Sequence, residues 1–167
     1  MKTQVRKSVP NDVYGIHEVT KITWLKTYPN IEEGITVEDI KEKFKMDETS
    51  EGKNNINTWV AEDKDKIIGF CMAIKEGKNN RVGAIYVIPS FQREGLGKQL
   101  IERAFDWLGD GKDILINVAR YNKQAINFYE KLGFVKTGKS GALDSAAKLP
   151  SGKFIPEIEL VKNCLGR

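Results

Sequence analysis

Between Ile56 and Leu108 the apolar residues change their period, and the switch falls on a glycine pair. Upstream, INTWVAE, IIGFCMAIKE and RVGAIYVIP are short, rich in β-branched residues and separated by turn residues, which predicts three strands in a meander. Downstream, Leu96, Leu100, Ile101, Ala104, Phe105 and Leu108 recur at helical spacing. Gly109 and Gly111 end that run. A hairpin sheet feeding directly into an amphipathic helix excludes an all-α bundle and a purely parallel sheet.

The flanks extend the pattern. TQVRKS predicts a short first strand. Pro10–Asn11–Asp12 supplies turn and cap residues before a run through Val13, Ile16, Val19, Ile22 and Trp24 or Leu25, a first helix. Thr36 is placed to cap a second helix, with Asp39 three residues on as its partner, and Asn54–Asn55 marks a break. After the glycines come a buried-type strand in DILINVA and a helix opened by Asn122 with Ala125, Phe128, Tyr129 and Leu132 on its apolar face. Gly133 stands where a left-handed cap is needed. A strand from Phe134–Val135, a Gly/Ser/Ala-rich loop over 140–154 and a last strand in FIPEIELV complete the order β-αα-βββ-α-β-α-β-β. The expected class is α+β: a mixed, mostly antiparallel sheet of about seven strands flanked by four helices, in a single domain over residues 1–167.

Several function classes drop out on residue counts. One histidine, His17, and two cysteines, Cys71 and Cys164, supply neither a clustered metal site nor a disulfide framework nor a histidine triad, so no metal is expected. No apolar run is long enough to span a membrane, and the first residues lack a secretory apolar stretch, so a cytoplasmic protein without membrane contact is expected. Net charge is +4, but lysines and arginines are interleaved with acids, which predicts no nucleic-acid partner. The charge is unevenly spread: residues 1–50 carry 8 Lys/Arg against 9 Asp/Glu, and Glu32 to Glu48 has 7 acids against 3 lysines.

The chemistry concentrates in Val87-Ile-Pro-Ser-Phe-Gln-Arg-Glu-Gly95-Leu-Gly97-Lys98. A glycine turn lets backbone approach a ligand, and the N–H groups of the helix start form an anion cradle favoured by the helix dipole. Arg93 and Lys98 add positive charge, so a pyrophosphate is the natural guest. A phosphate-binding Walker loop would need Gly at Gln92 and Ser or Thr at Gln99, and a dinucleotide turn would need Gly at Leu100. Both fail. The plain alternative is a glycine-capped helix start with no ligand.

Gln92-Arg-Glu-Gly95-Leu-Gly97 resembles the Q/R-x-x-G-x-G/A signature of the GCN5-related N-acetyltransferases, directly after a strand ending in Pro. Asn122-Lys-Gln-Ala125-Ile-Asn-Phe128-Tyr129-Glu-Lys-Leu-Gly133-Phe134 resembles the family's later N-x-x-A-x-x-F/L-Y-x-x-x-G-F motif. The resemblance implies acetyl transfer from acetyl-CoA, a co-substrate, to a primary amine by direct attack on the thioester. It places the pyrophosphate on Gln92, Arg93, Glu94, Gly95, Leu96, Gly97 and Lys98, and the pantetheine arm along Ile85, Tyr86 and Val87. Asn122, with Ala125 and Phe128, is expected near the thiol end. Lys98, Lys123 or Lys131 could reach the ribose phosphate, with Lys123 and Lys131 reading first as solvated helix charge.

The reaction needs a deprotonated amine, a donor for the thioester oxygen, met by a strand N–H near Val87, and a proton for the leaving thiolate. Tyr129 suits the last role, its alternative being a core tyrosine on an amphipathic helix. For the base, RVGAIYVIP carries no carboxylate where many relatives place a Glu, which leaves Glu62, Glu76, Glu32–Glu33 or a water chain.

Trp24, Thr27 and Tyr28 lie where the family builds its acceptor wall, and Trp-Leu-Lys-Thr-Tyr is similar to that region in a bacterial subgroup that includes spermidine/spermine acetyltransferases. Aromatic faces plus carboxylates suit a polyamine. The alternatives are a protein N-terminal or lysine acetyltransferase and, in another class, a catalytically weak coenzyme-A-binding regulatory module. The acceptor is a small-molecule amine or a peptide, and the protein a monomer or homodimer.

Overall fold

Seven strands and four α-helices follow one another in the expected order, with three short 3-10 turns between them, in the computed structural model, which describes residues 3–45 and 53–164. The chain divides into two compact units, residues 1–23 with 51–112, and residues 24–50 with 113–167. The strand pairs within each unit are antiparallel. The mixed α+β class, mostly antiparallel, is as the sequence predicts.

The first unit is built on the meander. β1 (Gln4–Lys7) pairs with β2 (Ile56–Asp63), β2 with β3 (Lys66–Ile74), and β3 with β4 (Asn80–Val87). The β2–β3 hairpin closes on Lys64 and Asp65, both at positive φ (48° and 61°), the conformation a two-residue hairpin turn demands. α3 (Leu96–Leu108) packs on β2, β3 and β4. Leu96, Leu100, Ile101, Ala104 and Leu108 of α3 are buried, as are Val60, Ile68, Phe70, Cys71 and Val82 in the strands. Gly69 permits this approach: a Cβ there would stand 2.9 Å from the Tyr86 carbonyl oxygen and 3.4 Å from Leu100 Cδ1. Asp12 is buried because Arg6 holds both its oxygens, at 2.7 and 2.9 Å, while the Val9 N–H donates at 2.8 Å. The Arg6 contact holds its carboxyl below the ordinary range.

The second unit centres on β7 (Glu157–Lys162), which lies between β5 (Ile114–Ala119) and β6 (Val135–Gly141). α4 (Lys123–Lys131) follows β5, and α2 (Val37–Lys43) starts with the expected reciprocal cap: the Asp39 N–H donates to Thr36 Oγ1 at 3.1 Å and the Thr36 N–H to Asp39 Oδ2 at 2.8 Å. Hydrogen bonds from Thr36, and then from Lys153, hold the Asp39 carboxyl far below its usual range.

Three expectations need correction. α1 (Val13–Thr27) forms, but its inward stripe is narrower than the apolar run: Val19, Thr23 and Trp24 are buried while Val13 and Ile22 are exposed. The 140–154 stretch is more ordered than a plain loop. β6 continues to Gly141, Ala147, Leu149 and Ile155 are buried, and Lys148 bridges to Phe154. Lys43 Nζ donates to the Lys148 carbonyl at 3.1 Å and Lys153 Nζ to the Gly34 carbonyl at 2.8 Å, so the stretch is tied to α2 and its approach. The last strand begins at Glu157 instead of Phe154, because Pro156 has no N–H for a ladder.

Candidate functional site

Each unit carries one strand-to-helix turn that bears motif residues. In the first, β4 ends at Val87 and the chain passes through a single 3-10 turn, Pro89–Phe91. Gln92 Nε2 donates to the Val87 carbonyl at 2.8 Å, stapling the turn across its base. Arg93 (φ 66°) and Gly95 (φ 79°) are both left-handed, which costs a side chain such as that of Arg93 about 1–2 kcal/mol. No side chain caps α3 at Gly95, so the N–H groups of Leu96, Gly97 and Lys98 point out of the helix start without intrahelical acceptors. Arg93, Glu94 and Lys98 are exposed, and Lys98 approaches Glu102 at 3.8 Å. Strained backbone, unclaimed N–H groups and exposed cations around one helix start make an anion cradle. Upstream in β4, Ile85 and Tyr86 are half-buried and Val87 buried, with the Tyr86 ring edge-on to Phe70 at 5.7 Å.

The second turn is closed by a side chain. Asn122 Oδ1 accepts from the Ala125 N–H at 3.2 Å and so caps α4. Ala125 and Phe128 are half-buried, and Lys123 and Lys131 are exposed. Tyr129 is buried, with its ring edge-on to Phe128 at 5.3 Å and to Phe134 at 5.8 Å. Ile126 is buried as well, a core position that the helical reading passed over.

Among the acceptor-wall residues, Trp24 and Tyr28 are buried and meet edge to face at 4.8 Å. Trp24 also meets Phe44 at 5.6 Å, and Lys43 Nζ lies 5.5 Å from its ring. Thr27 is half-buried. The candidate bases have partners: Glu62 accepts from Arg6 at 2.7 Å, Glu76 lies 3.6 Å from Arg81, and Glu33 accepts from Arg120 at 2.5 and 2.9 Å. Glu32 is exposed.

The sequence reading missed a latch just before Asn122. Arg120 holds Glu33, and Tyr121 Oη donates to the Tyr28 carbonyl at 2.6 Å. Burial, and then the charge of Glu33, push the Tyr121 phenol up to about 12. Their proximity to the Asn122 cap was a signal, but their partners lie roughly ninety residues away along the chain, and no local pattern reaches that far. Two further polar residues, Asn117 and Glu159, face each other across β5 and β7. Among the described residues no group of three His, Cys, Asp or Glu is placed to hold a metal, and no helix is long and apolar enough to cross a membrane.

Residues 54–136 match the model of the acetyltransferase (GNAT) domain. Over 93 residues, 55% of this chain, the sequence is 36% identical to the peptidyl-lysine N-acetyltransferase YjaB of Salmonella typhimurium, covering 59% of that protein. It is 34% identical over 80 residues to the peptidyl-lysine N-acetyltransferase YiaC of Escherichia coli, covering 48% of this chain and 51% of that one. The chain thus spans little more than half the length of these relatives. The PaiA N-acetyltransferase of Thermoplasma acidophilum, solved in complex with coenzyme A, superimposes with a TM-score of 0.66 at 20% identity, covering 98% of this chain and 99% of that one. The ribosomal-protein-S18-alanine N-acetyltransferase of Escherichia coli does so with a TM-score of 0.66 at 16% identity, covering 98% and 94%. The fold is therefore that of the GNAT-type acetyltransferases, with the domain match running from β2 through α3 and α4.

Proposed function

We propose that residues 1–167 work as a single acetyl-CoA-dependent N-acetyltransferase domain acting on a primary amine. One observation carries the reading: the uncapped, left-handed turn at the start of α3, within the stretch that matches the acetyltransferase domain. The backbone of Gln92–Lys98 would hold the coenzyme's pyrophosphate, and Ile85–Val87 its pantetheine arm. The coenzyme supplies an acetyl thioester, whose carbonyl carbon the amine's lone pair attacks. A strand N–H near Val87 would donate to the carbonyl oxygen as it becomes anionic. Tyr129 would give its phenolic proton to the leaving thiolate, and the proton released by the acetylated nitrogen would restore the phenol through solvent. Asn122, having spent its carbonyl oxygen on the α4 cap, keeps its amide N–H groups for the coenzyme.

The relatives' names favour the ε-amine of a peptidyl lysine as acceptor. The polyamine reading, with membership of the spermidine/spermine subgroup, depends on open aromatic faces. Trp24 and Tyr28 instead pack edge to face in the interior. The test is thiol release from acetyl-CoA against lysine peptides, polyamines, amino acids and aminoglycosides. Preferential turnover of lysine peptides is the expected result. Tight coenzyme binding without turnover on any amine would overturn the enzyme reading in favour of a coenzyme-binding module.

A further inference from the structure

The β5–β7 ladder of the second unit carries a polar pair to which the roles above give no work. Asn117 stands directly opposite Glu159 in the antiparallel register, so their side chains share a face with Cβ atoms about 4.5–5.5 Å apart. Glu159 is only 7% exposed. A carboxylate in such a place is costly unless donors surround it. The other buried carboxylates have them: Asp12 takes three short bonds from Arg6 and Val9, and Asp39 takes bonds from Thr36 and Lys153. Among the described residues the Glu159 carboxylate accepts one hydrogen bond, from Thr137 Oγ1 at 3.1 Å, and lies 3.7 Å from Lys139 Nζ, on a lysine that is 70% exposed. Opposite it, Asn117 Oδ1 is buried and accepts no hydrogen bond.

Glu159 is thus a buried carboxylate with few donors, beside an Asn117 amide oxygen that accepts none. A group that supplies several N–H donors with positive charge fits it, and a primary ammonium carries three. The approach of Lys139 shows that an alkylammonium is drawn to this carboxylate. Asn117 and Glu157, which stands two residues earlier on the same face of β7, are both half-buried.

We propose that Glu159 and Asn117 bind the acceptor amine as its ammonium, which gives up one proton to solvent before its lone pair attacks, the carboxylate by charge-assisted hydrogen bonds and the amide oxygen by accepting a further N–H. This rests on the N-acetyltransferase reading, and the shared ligand chemistry is a primary alkylammonium, on a peptidyl lysine or on a polyamine.

The test uses the full chain saturated with coenzyme A, a short lysine peptide and spermidine as separate probes, and calorimetry for direct amine binding beside acetyl-CoA turnover. Glu159→Gln is expected to weaken binding of the preferred amine and raise its KM by about tenfold or more, the scale of one charge-assisted hydrogen bond, while coenzyme affinity stays the same. Asn117→Ala is expected to do the same to a smaller degree. Whichever probe shows the loss identifies the source of the ammonium. Amine binding and KM unchanged in both variants would overturn the proposal, as would amine binding absent from the wild-type chain. Should Glu159→Gln fail to fold by circular dichroism, Asn117→Ala carries the test alone. Wild-type amine binding that is lost in Glu159→Gln, with no turnover in either, would uphold the ammonium site and overturn the enzyme reading.

Discussion

The two strand-to-helix turns solve the same problem in opposite ways. Both must satisfy or expose the first N–H groups of a helix. After β5, Asn122 spends its side-chain oxygen on the Ala125 N–H, so α4 begins complete within its own sequence. After β4, no side chain does this for α3, and the backbone is held left-handed at Arg93 and Gly95 with Gln92 tied to Val87. A turn that accepts strain and leaves donors unclaimed offers them to an outside acceptor, as the proposed function requires. A turn that caps itself holds its helix, in which Tyr129 is buried with its ring edge-on to Phe128 and Phe134.

The sharpest test of that contrast is Tyr129→Phe. On the proposed role it lowers kcat by about a hundredfold to a thousandfold, the usual size of a lost general acid, while coenzyme A affinity measured by calorimetry stays the same. Equal activity would make Tyr129 purely a packing residue between Phe128 and Phe134. Next, Gly97→Leu at the uncapped turn should weaken coenzyme A binding by about a hundredfold, as expected when roughly two hydrogen bonds to a charged group are lost. Unchanged affinity would break the cradle assignment.

Gly95→Ala separates conformation from contact. Its Cβ would meet nothing within 4 Å, so the φ of 79° alone sets the cost, about 1–2 kcal/mol, or a Tm lowered by roughly 3–6 °C. At the capped turn, Asn122→Ala should cost about 1 kcal/mol of stability, whereas Asn122→Asp keeps the cap. A fall in coenzyme affinity with Asp at unchanged stability would assign the Asn122 amide to the coenzyme.

The smallest effect is acid-dependent. The Asp39 carboxyl is depressed in the fold by Thr36 and Lys153, so its contribution is present above the ordinary value of about 3.9 and is lost as pH falls below it. Denaturant midpoints of Asp39→Asn should lie below wild type at neutral pH, and the gap should close as pH drops from about 4. A gap that is constant with pH would remove the carboxylate's charge from the account.

The α3 turn was legible because everything it needs is local: an alternating strand, a proline, two glycines and a 3.6-residue apolar stripe. The Thr36–Asp39 cap and the Gly133 left-handed residue (φ 92°) were legible for the same reason. Val13 and Ile22 misled because apolar spacing says which face a helix prefers, not how much of that face a neighbour covers. The 140–154 stretch reads as a loop by composition. Only its burial of Ala147, Leu149 and Ile155, and the reach of Lys43 and Lys153, give it order.

By itself, then, the sequence determined the order of strands and helices, the glycine turn after β4 and the cap that starts α4, since each is a short-range matter of backbone freedom and side-chain reach. The tertiary structure alone decided that Tyr121 would lock onto Tyr28 and that Asn117 and Glu159 would stand on facing rungs. Those outcomes depend on strand register and on contacts between residues far apart in the chain, and in them the burial of each polar atom is set by neighbours that the local sequence does not contain.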